Sequence, residues 1–194
     1  MTDAAQKKLF ATFAKEVVRV AKSNLSGSKG PTKLESSIKY NLSTKDGELI
    51  VTFEMADYGK FVDKGVRGSG GYISTGKYKG NWRGKRFYET YEGKRKQSPY
   101  SFGKTRDGGL TRGLDKWVIK KGLDGVRDPK TGKFISRATL KMLLARDIYI
   151  RGLHGISFLQ KSLKTNLKGF KQKYTVAFKE DLTETINAVI KKKK

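Results

Sequence analysis

The chain has no cysteine and a single histidine in 194 residues. Without thiols there is no disulfide and no thiolate metal site, and the lone His154 has no second imidazole with which to share a cation. Acidic residues are scarce as well, 18 Asp and Glu against 43 Lys and Arg. Metal-assisted hydrolysis needs carboxylates that converge on a cation. Glu48, Glu54, Asp57 and Asp63 lie near one another in sequence, but Glu54 alternates away from the Phe53 and Met55 face of its strand, which argues against a nuclease. No Ser, His and Asp grouping supports nucleophilic catalysis. No apolar run of about 18 residues exists, so no transmembrane helix is expected. The first residues are polar and of mixed charge, unlike a signal peptide. A soluble, non-enzymatic chain made in a cytoplasm, with no metal and no cofactor, is the expectation.

What the sequence has in excess is positive charge, a formal net of +25. Such a surface repels its own copies unless something acidic is near. Nucleic acid is the first candidate, an acidic partner protein the second and an anionic membrane the third. The length suits one domain with a real core, and residues 1–194 are expected to form a single domain.

Apolar spacing predicts a helix from Asp3 to Leu25, where Leu9, Phe10, Phe13, Val17, Val20, Ala21 and Leu25 recur at three- and four-residue steps. Ser26 to Pro31 ends it. A hairpin follows. Ile38, Tyr40 and Leu42 alternate, Ser43 to Gly47 reads as the turn, and Leu49, Val51, Phe53 and Met55 alternate on the way back. Ala56 to Lys64 is expected as a short helix with Tyr58, Phe61 and Val62 on one side. Leu114 to Lys121 reads as another, closed by Gly122, with a loop over Asp124 to Phe134. Ser136 is placed to cap a helix running to Arg151. Two more helices are expected, Ser157 to Leu167 and Lys171 to Ile190. The second carries Tyr174, Phe178, Leu182, Ile186 and Val189 at helical spacing and runs into Lys191 to Lys194, a solvated end by default. The fold class is therefore α+β, a small antiparallel sheet flanked by N-terminal and C-terminal helices.

Residues 66–113 differ in character. Val66 to Lys116 holds thirteen Lys or Arg, four acids and eight aromatics among many glycines. Gly68-Ser69-Gly70-Gly71 lacks the Lys-Ser/Thr of a phosphate-binding loop and reads as a flexible joint. Asp107-Gly108-Gly109 is a second break. A long inserted loop or β arm is expected, with Gly71 to Tyr91 able to pair as an irregular hairpin. Lys77, Lys79, Arg83, Lys85, Arg86, Lys94, Arg95 and Lys96 are candidate phosphate contacts, since Lys and Arg release counterions without reading sequence. Tyr78, Trp82, Phe87, Tyr88 and Tyr91 are suited to stacking on bases, or equally to packing on a neighbouring subunit.

Three stretches, in order, resemble a family of bacteriophage tail-completion or neck proteins, the gene-product-ten-like tail-component family of long-tailed phages. Thr32-Lys33-Leu34-Glu35-Ser36-Ser37-Ile38 is similar to that family's Thr-Gly-x-Leu-x-x-Ser-Ile entry into its first strand, with Lys33 in place of Gly. Ala56 to Gly65 looks like its Tyr-Ala-x-x-Val-Glu-x-Gly-Thr. Tyr58, Val62 and Gly65 match, Asp63 replaces Glu and Val66 replaces Thr. Trp117-Val118-x-Lys120-Lys121-Gly122, joined to Leu144 through Leu163, resembles its Gly turn before a Phe-Leu helix start at Phe158-Leu159, with Ser157 where Pro is frequent. The 66–113 insertion lies outside the resemblance.

The resemblance implies a structural virion protein that forms a ring at the head–tail junction, a hexamer by analogy with the tail tube. Its partners would be other copies of itself, a tail tube or tail terminator protein, head–tail connector or portal-side proteins, and packaged double-stranded DNA in the lumen, with no membrane. Tyr58, Phe61, Val62, Asp63, Tyr78, Trp82, Phe87 and Tyr88 would then be subunit contacts, with Asp63 pairing a basic residue of a neighbour. Tyr58, Phe61 and Val62 as a plain core helix, and a solvated Asp63, stay open. Removing Gly71 to Arg106 is expected to leave a folded chain that assembles poorly. The alternative is a non-specific nucleic-acid-binding basic protein.

Overall fold

A computed structural model of the protein describes residues 3–28, 32–74, 77–102, 114–115, 117–119, 121–128 and 131–192, with backbone only at 3–4, 32, 124, 184–185 and 187–192. It is mixed helix and strand, with small antiparallel sheets and long N- and C-terminal helices. The chain divides into two compact units, residues 1–63, 89–96 and 156–194 in the first and 64–88 and 97–155 in the second.

In the first unit, α1 (Asp3–Gly27) buries Ala14, Val17, Ala21 and Leu25 completely, the face that its apolar spacing marks. After it come α2 (Thr32–Ser37), β1 (Lys39–Lys45), β2 (Glu48–Glu54) and α3 (Gly59–Lys64). The β1–β2 turn is tighter than its composition suggests. Strand pairing runs out to Lys45 and Glu48, and Asp46 and Gly47 alone make the turn, both with positive φ (52° and 80°). That is the type I′ geometry which Asp-Gly favours because its twist matches the strands. Tyr40 pairs with Phe53, Leu42 with Val51 and Thr44 with Leu49, so the predicted apolar face is one face.

The largest correction in this unit is at its end. The two predicted C-terminal helices are one, a 35-residue helix over Phe158–Lys192. Gly169 does not break it. An isolated helical glycine costs about 1 kcal/mol, and packing along α1 exceeds that. Phe170 meets Phe10 edge-on at 4.9 Å and Phe13 at 4.4 Å. Such pairs add about 0.5–1.5 kcal/mol each beyond burial. At the other end, Asn24 donates to Phe158 O (3.3 Å) and to Ser162 Oγ (3.2 Å). Phe158, fully buried, joins Ala21, Leu25, Leu34 and Ile38 in the core.

In the second unit, Ser136 caps the helix Arg137–Arg151 as its sequence predicts, its Oγ accepting from Thr139 N at 3.1 Å. Short strands surround it: Val66–Arg67 pairs with Gly152–Leu153, and Gly71–Ile73 with Gly80–Trp82. Strands at Phe87–Glu89 and Arg95–Gln97 pair as a further two-stranded sheet. The segment expected as a loop or arm thus carries buried residues and short strands of its own. Ile73, Arg86, Thr90 and Ser98 are all buried, and the Ser98 hydroxyl donates to Gly65 O at 2.7 Å. Residues 103–113, with the Asp107–Gly109 break, lie outside the described residues, as do the side chains of Lys191 to Lys194.

Candidate functional site

Several backbones of the second unit meet around Gly152. Gly68 N donates to Gly84 O (2.8 Å), Ser69 N to Tyr149 O (2.9 Å) and Gly70 N to Ile150 O (3.0 Å). The approach is too close for side chains. A Cβ on Gly68 would land on Ile150 O, one on Gly84 on Gly68 O, and one on Gly152 on Val66 O. The expected flexible joint at Gly68 to Gly71 is therefore a packing point, where glycine serves close approach rather than mobility.

Arginines gather on this crossing. Arg67 lies across the strand ladder from Gly152, and Arg151 precedes it in the chain. Arg86, only 7% exposed, donates from Nη2 to Gly152 O at 3.3 Å. The Arg151 guanidinium lies 3.5 Å from the Tyr78 ring centre and 5.9 Å from that of Trp82. Trp82 Nε1 donates to Tyr78 O at 2.7 Å, which locks this aromatic shelf. The Nε atoms of Arg67, Arg86 and Arg151 are buried without a hydrogen-bond partner. Among the described residues none of these three guanidiniums pairs with a carboxylate. Burial, and then the like charge of Arg151, pull Arg86 below its ordinary pKa. His154 is pushed down in turn, first by loss of water around the ring and then by Arg86 and Arg151.

The predicted phosphate contacts separate accordingly. Lys77, Lys79, Arg83, Lys85, Lys94, Arg95 and Lys96 are exposed, whereas Arg86 is buried. Lys94 pairs with Glu92 at 3.0 Å. Of the predicted subunit contacts, Tyr58 and Phe61 are exposed and Phe87 is too, while Val62, Tyr78, Trp82 and Tyr88 are half-buried. Asp63 departs furthest from its expected role. It is 2% exposed, and its Oδ1 accepts the Leu159 N–H at 2.9 Å, capping the start of the C-terminal helix. Its backbone carbonyl accepts from Ser157 N at 2.8 Å. A buried cap is not placed to meet a neighbour's cation. The sequence marks Arg151 only as a helix end, so its place beside Arg86 is not legible before the fold brings residues 86 and 151 together.

In the first unit several large apolar side chains are exposed. Phe178, Leu182 and Ile186 are 46%, 46% and 55% exposed, in line one helical turn apart. Among the described residues the β1–β2 sheet has two strands. A groove of about 700 Å³ runs between α1 and the C-terminal helix, lined by Leu9, Phe13 and Phe170 among others. Among the described residues no group of His, Asp and Glu gathers as metal ligands would, and no helix is long and apolar enough to cross a membrane. No family model, no curated protein and no solved structure matches the chain.

Proposed function

We propose that the protein is a structural subunit of a self-assembling ring, of the kind that joins tail to connector around the DNA channel at a phage head–tail junction. It acts by shape and charge complementarity, without catalysis. The observation that supports association most directly is the exposed row Phe178, Leu182 and Ile186. Large apolar side chains aligned on one face of a helix mark an interaction surface more often than a solvent-facing one. The two-stranded β1–β2 sheet adds edges open to pairing. The phage assignment rests on the three motif resemblances, and the net charge of +25 suits a wall that faces DNA.

Mass photometry or sedimentation of the purified chain, across salt and after nuclease treatment, tests this. A discrete ring-sized species that survives nuclease is expected. A monomer that co-purifies with nucleic acid and releases it at high salt would move the assignment to a non-specific nucleic-acid-binding protein.

A further inference from the structure

We infer that Arg86, together with Arg151 on the Tyr78–Trp82 shelf, forms a built site for a tetrahedral oxyanion, a phosphate group. The inference is independent of ring formation, because every residue it uses lies within the second unit. Its basis is an unbalanced charge. Arg86 is more than nine-tenths buried, its Nε has no partner, and its single hydrogen bond goes to a neutral carbonyl, Gly152 O. Arg151 stands close enough to oppose its charge, and Arg151 too has no carboxylate among the described residues. A guanidinium buried within reach of a second positive charge costs free energy unless an anion completes it.

The geometry favours a phosphate over a single carboxylate. Stacking on Tyr78 fixes the plane of the Arg151 fork, and a fixed fork recognises phosphate oxygens bidentately. Two guanidiniums offer more donors than the two oxygens of one carboxylate can accept, and a tetrahedral oxyanion has further oxygens to meet them. Lys77 and Lys79 flank Tyr78 in sequence and are exposed, and Lys77 Nζ lies 5.9 Å from the Tyr78 ring centre, adding positive charge beside the shelf. The buried carbonyl contact at Gly152 holds Arg86 in place without neutralising it.

The chain carries its own reporter. His154 is the only histidine, so its ring protons titrate alone in an NMR spectrum. Its proton affinity is lowered by Arg86 and Arg151 after desolvation, so an anion between them should raise its pKa. The titration uses the full-length protein with three additions: sodium sulfate, which stays a tetrahedral dianion throughout, a short oligothymidylate, and sodium chloride at matched ionic strength. The expected result is a saturable rise with sulfate beyond that with chloride, lost in Arg86→Gln and in Arg151→Gln. Should Arg86→Gln fail to fold, Arg151→Lys, at a half-exposed position, keeps the charge without the fork and should weaken the response at least several-fold. A response to oligothymidylate as well identifies a nucleic-acid phosphodiester as the source, and a response to sulfate alone identifies a free anion. Equal shifts with sulfate and chloride overturn the inference, as does a response that persists in Arg151→Gln. A pKa that rises only with protein concentration also overturns it, and would indicate an acidic side chain of a second copy.

Discussion

Asp63 shows how one residue can be assigned to the wrong surface when its partner is distant in sequence. Its spacing beside Tyr58 and Val62 suggests an outward contact, yet its acceptor oxygen serves Leu159, 96 positions further on. A carboxylate at a helix start satisfies an otherwise orphaned N–H and opposes the helix dipole. Asp63→Ala should therefore destabilise the protein by about 1–3 kcal/mol, and Asp63→Asn, which keeps an acceptor, by less. Urea denaturation measures both. Unchanged stability with lost assembly would restore the interface role. His154 gives a second test at this scale. Its pKa is depressed in the fold, so the unfolded chain binds a proton first as pH falls. Stability is then fully present above the unfolded value of about 6.5 and declines as pH drops below it. His154→Gln should flatten the denaturation midpoint against pH in that window. An unaltered slope would mean that the ring is as well hydrated in the fold as out of it.

At the scale of elements, glycine plays two opposite parts, and sequence alone does not separate them. Gly68, Gly84 and Gly152 allow backbones to touch, while Gly169 sits in a helix with open space where a Cβ would go. Gly68→Ala should cost several kcal/mol, on the order of the largest single-site effects, because backbone atoms would have to move apart. Gly169→Ala should instead stabilise the protein by about 0.5–1 kcal/mol through helix propensity. Thermal unfolding of the two variants reads opposite shifts in Tm, and a loss of stability in Gly169→Ala would mean that the helix is interrupted there after all. Regular periodicity was legible throughout: the buried face of α1, the Tyr40–Phe53 and Leu42–Val51 face of the hairpin, and the Ser136 cap all follow from local spacing. The short strands around Gly152 were not, because their pairing depends on contacts such as Arg67 with Gly152, far apart in the chain. The Arg86–Arg151 cluster was half legible, since Arg86 stands out in a basic segment while Arg151 looks like an ordinary helix end.

For the whole molecule, the question is which part can be altered without unfolding it. Removing Gly71 to Arg106 no longer isolates assembly from folding, since it would take away the buried Ile73, Arg86, Thr90 and Ser98 and both strands of the Gly71–Ile73 and Gly80–Trp82 pair. The row Phe178, Leu182 and Ile186 is the cleaner target. These side chains are about half exposed and lie beyond the Phe10–Phe170 and Phe10–Tyr174 contacts that fasten the helix to α1. Changing all three to Ser should leave helical signal nearly intact and shift stability by less than about 1 kcal/mol, as surface substitutions do. If the row is buried between copies, even about 1 kcal/mol from each side chain would weaken association by roughly 100-fold. Sedimentation at a fixed concentration should then show the ring-sized species replaced by monomer, with far-UV circular dichroism unchanged. A triple variant that still assembles would remove the helix from the interface and leave the open edges of the β1–β2 sheet as the surface through which copies join.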